Sequence, residues 1–104
     1  MNRVNLTNKK GYWFNIDSAK YFKEDTWIEG GAFISRATGS QFEHQGLYIT
    51  ESNRFILNSW SNYSGNPETY VEISKSDAID WLIVNNHYSY LQDYYPQELS
   101  GREI

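Results

Sequence analysis

Apolar and polar positions alternate in residues 11–16, and this pattern predicts the first strand. Successive side chains of a strand point to opposite faces, so Tyr12, Phe14 and Ile16 would share one face. A sheet that buried this face would use three large side chains from a single short segment.

Residues 17–25 have no clear period, and the sequence leaves two readings open. They fit a short helical turn that begins at an Asp or Ser cap, or an edge strand that carries Tyr21 and Phe22. Apolar patches then lie on either side of Gly30 and Gly31. Because a glycine pair permits backbone conformations closed to other residues, it predicts a turn or a bulge there.

The pattern further along the chain predicts a hairpin and a third strand. Two β-rich runs, 47–50 and 54–60, are separated by residues 51–53, which have the composition of a turn. Residues 61–68 contain Gly, Asn and Pro, which serve turn geometries, so they predict a surface loop. Alternation returns in residues 69–73.

Residues 75–86 are predicted to form the principal helix. Ser74 can accept a hydrogen bond from a free backbone N–H group, and Asp77 lies near the positive end of the helix dipole. The stripe predicted to face the sheet consists of Ala78, Trp81, Leu82 and Asn85. The tail beyond residue 86 is rich in tyrosine, and it either covers apolar sheet surface or contacts another chain.

Length and composition favour one domain, because two cores within 104 residues would each bury too little apolar surface. The predicted fold class is α+β: a small, mostly antiparallel sheet of three to five strands, with one principal C-terminal helix packed on one face. Residues 1–9 and 97–104 are expected to be frayed. The lack of a secretory or membrane-spanning apolar run makes the cytoplasm the expected location, and no membrane contact is expected.

Charge is divided unevenly along the chain, whose net charge is −4. Residues 1–36 hold six basic and four acidic side chains, whereas residues 37–104 hold three basic and nine acidic ones. Lys9 and Lys10 form the one basic cluster, so nucleic acid is disfavoured as a partner. An acidic, tyrosine-rich region suits a basic protein surface better, although the acids could simply keep the domain soluble.

Residues 37–45 raise the question of catalysis. Ser40, Glu43 and His44 could act as nucleophile, orienting acid and base, but spacing alone supplies neither their geometry nor an oxyanion hole. A loop tied by hydrogen bonds explains the same residues, since Thr38, Ser40, Gln41 and His44 can satisfy loop backbone groups. We therefore favour a tied loop that also makes contacts, and we assign no catalytic residue.

No cofactor or metal is expected either. His44 and His87 are far apart in the sequence, there is no cysteine, and no metal-binding spacing or phosphate-binding glycine motif occurs.

Aromatic side chains near residue 60 suggest a second contact region. Trp60, Tyr63 and Tyr70 lie among Ser and Asn residues, a composition that protein-binding surfaces favour. Nucleobase stacking would need basic neighbours, and only Arg54 is close in sequence. Core or cross-strand packing of Trp60 and Tyr70 is the plainer alternative. The candidate binding residues are Thr38, Ser40, Gln41, Glu43, His44, Trp60, Asn62, Tyr63, Tyr70, Tyr88 and Tyr90.

Several segments between residues 17 and 86 resemble a group of small bacterial proteins without an established activity, some of them found on mobile elements. The matching segments are E-D-T-W, A-T-G-S-Q-F-E-H, L-Y-I-T, F-I-L-N-S-W-S-N-Y-S-G, E-T-Y-V-E-I and A-I-D-W-L. The resemblance implies a self-contained α+β domain. It also implies an antitoxin-like regulator or an inhibitor of host defence.

The sequence therefore predicts a small non-catalytic protein-binding module, a regulator or inhibitor of a partner protein with a basic surface. The alternatives are a small hydrolase or nuclease that uses Glu43 and His44, and a single-stranded nucleic-acid binder. A homodimer is left open.

Overall fold

The computed structural model describes residues 1–63 and 65–104, which form eight strands, one 3₁₀ turn and three helices. The strands are β1 (Arg3–Asn5), β2 (Trp13–Asn15), β3 (Lys20–Lys23), β4 (Thr26–Glu29), β5 (Ala32–Ser35), β6 (Glu43–Ile49), β7 (Phe55–Ser61) and β8 (Thr69–Ile73). The helices are α1 (Lys75–Val84), α2 (Tyr88–Tyr94) and α3 (Pro96–Ser100), and the 3₁₀ turn is Ile16–Ser18.

The main sheet is antiparallel and has the strand order β3-β6-β7-β8. Its centre is the predicted hairpin, in which Leu47 pairs with Leu57 and Ile49 with Phe55. Asn53 adopts a positive φ of 62° in the turn between β6 and β7, a conformation that Asn tolerates better than most residues. The α+β class, the hairpin and the third predicted strand, β8, are confirmed.

The core lies between this sheet and the helices. Because side chains alternate along a strand, the paired positions 47, 49, 55 and 57 face the helices together. The buried core cluster consists of Leu47, Ile49, Phe55, Ala78, Ile79, Trp81, Leu82 and Leu91.

Helix α1 begins as the sequence predicts. The backbone N–H of Asp77 donates to the Ser74 hydroxyl at 3.1 Å, which satisfies one of the free donors at the helix start. The predicted stripe of Ala78, Trp81, Leu82 and Asn85 is buried. Helix α1 ends at Val84, earlier than predicted.

The prediction of a single principal C-terminal helix is wrong in detail, because the tail forms two further short helices. Asn86 has a positive φ of 64°, which interrupts the helical path. Pro96 starts α3 and disfavours helical geometry in the residue before it, so α2 and α3 are separate. Leu91 of α2 is fully buried, and Tyr90 packs on Phe22 at 4.6 Å between ring centroids. The tail thus covers apolar sheet surface.

Two small hairpins accompany the main sheet. β1 pairs with β2, whose Phe14 is buried, but Tyr12 is exposed and Ile16 belongs to the 3₁₀ turn. Residue 7 follows β1 and donates its backbone N–H to the Tyr70 carbonyl at 2.6 Å. β1 and most of α3 lie within residues 1–9 and 97–104, and the fraying expected for these two ends stays a prediction.

The ambiguous segment at 17–25 contains both structures that the sequence left open, a 3₁₀ turn and the edge strand β3. β4 and β5 form the second small hairpin. Gly30 and Gly31 make its two-residue turn with φ values of 58° and 81°, which a type I′ turn requires and glycine permits.

Candidate binding surface

A buried carboxylate connects the segment after β3 with β5 and β6. Only 6% of the Glu24 side chain is exposed. Its Oε1 accepts hydrogen bonds from the Ser35 hydroxyl and from the Gln45 backbone N–H, each at 2.7 Å. Its Oε2 lies 2.6 Å from Nδ1 of His44. Hydrogen bonds to both oxygens compensate for the burial of this carboxylate.

The imidazole of His44 uses both of its nitrogens. Because a carboxylate only accepts, Nδ1 donates to Glu24 at 2.6 Å. Nε2 lies 3.2 Å from the side-chain nitrogen of Asn62. The ring also stacks on Trp60, with 5.7 Å between centroids. His44 therefore links β6 to the loop after β7.

Hydrogen bonds also tie the loop between β5 and β6. The Thr38 hydroxyl donates to the Glu43 carbonyl at 2.7 Å and accepts from the Ser40 backbone N–H at 3.2 Å. The Ser40 hydroxyl accepts from the N–H groups of Phe42 and Glu43 at 3.0 and 3.3 Å. The tied-loop prediction is confirmed for Thr38 and Ser40.

The other parts of that prediction need correction. Gln41 is exposed and makes no side-chain hydrogen bond within residues 1–63 and 65–104, and His44 bonds to side chains instead of backbone. Glu43 and His44 are consecutive residues of β6, so their side chains lie on opposite faces. The acid that contacts His44 is Glu24, which pattern reasoning missed because the two are separated by 20 positions.

The two predicted contact loops meet each other. The backbone N–H of Asn62 donates to the Phe42 carbonyl at 2.8 Å. The rings of Phe42 and Tyr63 are 5.0 Å apart and remain 39% and 55% exposed. We call Phe42, His44, Trp60, Asn62 and Tyr63 the loop surface. The backbone hydrogen bond and the Glu24 network tie the two loops to each other and to β6.

A polar pocket of about 410 Å³ lies beside the loop surface. Among the residues that line it are Thr38, Glu43, Gln45, Ser59 and Pro67. Hydroxyl and amide groups dominate this lining, so the pocket suits a polar side chain of a partner better than an apolar ligand.

Three tyrosines lie on the sheet face that is turned away from the helices. The ring centroids of Tyr21 and Tyr48 are 4.8 Å apart, and those of Tyr48 and Tyr70 are 6.4 Å apart. The buried ring of Phe14 packs against Tyr48 and Tyr70, at 5.5 and 6.0 Å between centroids, so the β1–β2 hairpin covers part of this face. We call these three residues the tyrosine platform. Burial, together with a 3.0 Å hydrogen bond to Glu68, raises the pKa of Tyr70 to about 12. Burial also raises the pKa of Tyr21 and of Tyr48.

The predicted tail residues lie elsewhere. Tyr90 contacts Phe22 and stacks on Tyr94, and Tyr88 is the first residue of α2, beside Pro96 and Leu99 of α3. Within the described part of the chain, neither tyrosine makes a ring contact with the loop surface. The structure therefore separates the tail from the two loops with which the sequence analysis grouped it.

Basic and acidic side chains are paired unequally around these surfaces. Glu72 accepts from Arg54 at 2.6 and 2.7 Å and pairs with Lys9 at 2.7 Å, and these contacts lower the pKa of the Glu72 carboxyl to about 2. Lys9, one of the two lysines in the predicted basic cluster, is thus paired with Glu72. Glu43 and Glu68 form no ion pair with any other residue of 1–63 and 65–104.

Comparisons with models of known protein families, with curated proteins and with solved structures found no match. The resemblance to small bacterial mobile-element proteins stays an expectation. Within residues 1–63 and 65–104, no three His, Asp or Glu side chains are grouped to hold a metal ion. None of the helices described above has the length and apolar character needed to cross a membrane.

Proposed function

We propose that this chain is a small non-catalytic module that binds a basic surface of another protein through the loop surface. The observation that carries the proposal is the pair of exposed rings, Phe42 and Tyr63, held together by the Asn62 N–H to Phe42 carbonyl hydrogen bond. Exposed aromatic side chains supply large contact area at a low entropy cost.

Fixed geometry supports this proposal. The loops are held by Thr38, Ser40 and the Glu24–His44 pair, so little ordering would remain to be done when a partner binds. Smaller ordering costs leave more of the contact energy available as affinity.

Charge supports a basic partner. Glu43 follows Phe42 directly, and Glu68 closes the loop that contains Tyr63; neither is neutralised by a Lys or Arg of the described residues. Complementary charge speeds association and disfavours acidic partners. In the antitoxin-like or anti-defence role implied by the resemblance, binding would block a basic surface that the partner uses for nucleic acid.

The proposal is tested by site-specific photo-cross-linking in a lysate of the source organism. A photoreactive phenylalanine analogue replaces Tyr63, and the same analogue replaces Tyr94 as a control, because Tyr94 is similarly exposed at 59% but lies on α2. We expect one partner protein to be captured at position 63 and not at 94. The yield should fall as salt rises, since salt screens exposed charges.

Affinity measurements with the purified partner complete the test. Phe42→Ala combined with Tyr63→Ala should weaken binding about tenfold or more, as loss of central aromatic contacts does. Tyr94→Ala should leave the affinity unchanged. Equal capture at positions 63 and 94, or a purified partner that binds the double variant as tightly as the native chain, would refute the loop surface as the binding site.

A further inference from the structure

The tyrosine platform continues the loop surface along the same sheet face. His44, Gly46 and Tyr48 alternate along β6, so all three positions lie on the face turned away from the helices. Tyr21 pairs with Tyr48 across β3 and β6. Tyr48 and Tyr70 are half-buried and in contact with Phe14, whereas Tyr21 is 46% exposed. A partner seated on His44 and the loops would therefore extend over the ring of Tyr21.

Glu68 gives the platform a negative charge. Its carboxylate accepts from the Tyr70 hydroxyl at 3.0 Å and is close enough to contribute to the raised pKa of Tyr21 and of Tyr48. None of the Lys or Arg residues in 1–63 and 65–104 forms an ion pair with it. The exposed carboxylate thus contacts the Tyr70 hydroxyl and has no ion pair among the described residues.

Gly46 allows the ring of Tyr21 to lie across β6. A Cβ atom at position 46 would stand 2.5 Å from the Tyr21 hydroxyl oxygen, so any side chain there would displace the ring. The hydroxyls of Tyr21 and Tyr48 make no hydrogen bond to another described residue. Both remain available to a ligand.

Rings, free hydroxyls and one carboxylate together suit a planar cation. A guanidinium stacks on aromatic faces and presents a fork of N–H donors that matches a carboxylate, whereas an ammonium offers only a compact point charge. We propose that the tyrosine platform and Glu68 bind one arginine side chain of the partner protein, with the guanidinium over the exposed ring of Tyr21 and its N–H groups donating to Glu68. The assignment rests on the proposed function, because it specifies the chemistry of the basic partner.

The proposal is tested on the isolated protein with N-acetyl-L-argininamide, whose guanidinium is its only charge. Tyrosine ring resonances are followed by NMR during the titration. We expect saturable shifts of Tyr21, Tyr48 and Tyr70, with a dissociation constant in the millimolar range that is usual for such a small contact. The neutral citrulline counterpart should give no saturable shift, and the lysine counterpart should bind more weakly.

Two charge variants make the test specific. Glu68→Gln should raise the dissociation constant about three- to fivefold, the effect of losing one exposed ion pair. Glu51→Gln removes an exposed carboxylate in the β6–β7 turn and should leave it unchanged. Equal binding of arginine and citrulline probes, unaltered affinity in Glu68→Gln, or no saturable shift would overturn the proposal.

The outcome can be separated from that of the cross-linking experiment. If a partner is captured at Tyr63 while the arginine probe fails, the loop surface stands and the arginine site falls. If the probe binds but no partner is captured, the cation site stands and the proposed function falls.

Discussion

The buried carboxylate of Glu24 offers the sharpest test of how the loop surface is held. Glu24→Gln keeps the shape of the side chain but replaces Oε2 by an amide that donates toward Nδ1 of His44. A neutral His44 ring would then carry its proton on Nε2, where it faces the Asn62 amide. Asn62 has to turn over and present its oxygen if this contact is to survive.

The expected loss of stability follows from the three hydrogen bonds that Glu24 accepts. The hydrogen bonds from Ser35 and Gln45 go to Oε1 and remain in the variant. Each of these two bonds loses its charged acceptor, at a cost of about 1 kcal/mol per bond. Rearrangement of the contact between His44 and residue 24 should cost about 1 kcal/mol more. Removal of the buried negative charge offsets part of this total loss of stability. We expect the free energy of unfolding to fall by about 1.5–3 kcal/mol.

Urea unfolding measures the loss, and long-range ¹⁵N–¹H NMR reports which nitrogen of His44 carries the proton. Glu51→Gln is the matched control, because it is exposed and should change stability by no more than about 0.5 kcal/mol. An unchanged urea midpoint in Glu24→Gln, together with a proton still on Nδ1 of His44, would refute this account of the network.

Three further predictions concern the sheet face turned away from the helices. The pKa of Glu72 is about 2 in the folded protein and 4.5 for the free side chain. The ionised Glu72 therefore stabilises the fold in full above about pH 4.5, and this stabilisation is lost as the pH falls toward 2. In acid unfolding, Glu72→Gln should make stability less dependent on pH in that range. Gly46→Ala should displace the Tyr21 ring and shift the Tyr21 ring resonances. Because this ring is half-exposed and can move, the loss of stability in urea unfolding should be about 1 kcal/mol or less, and native-like Tyr21 resonances would contradict the close approach. The raised pKa of Tyr70, about 12, contributes stability in full below about pH 10 that is lost as the pH rises toward 12. Glu68→Gln should lower this pKa in an ultraviolet titration, and an unchanged value would show that Glu68 does not contribute.

The elements with short-range signals were predictable. The β6–β7 hairpin, the Ser74 cap and the Gly30-Gly31 turn each depend on residues within a few positions of one another. Alternation, capping and turn chemistry act through neighbouring backbone groups, so a single sequence reveals them. The pairing of Thr38 with Ser40 is similarly local.

The C-terminal helices and β1 were not predicted. Helix α2 has only seven residues and begins without a side-chain cap, so its tyrosines gave no helical signal. β1 is three residues long and is defined by its pairing with β2. Short elements of this kind are stabilised mainly by the surfaces on which they pack.

By itself, the sequence determined the α+β class, the central hairpin, the start of α1 and the Thr38 and Ser40 contacts of the tied loop, because each is encoded by residues close together in the chain. Only the tertiary structure decided that Glu24 is the partner of His44, that Phe42 meets Tyr63, and that three tyrosines from separate strands form one platform. Such contacts depend on strand register and on the order of strands in the sheet, where a shift of one residue would turn every side chain to the opposite face.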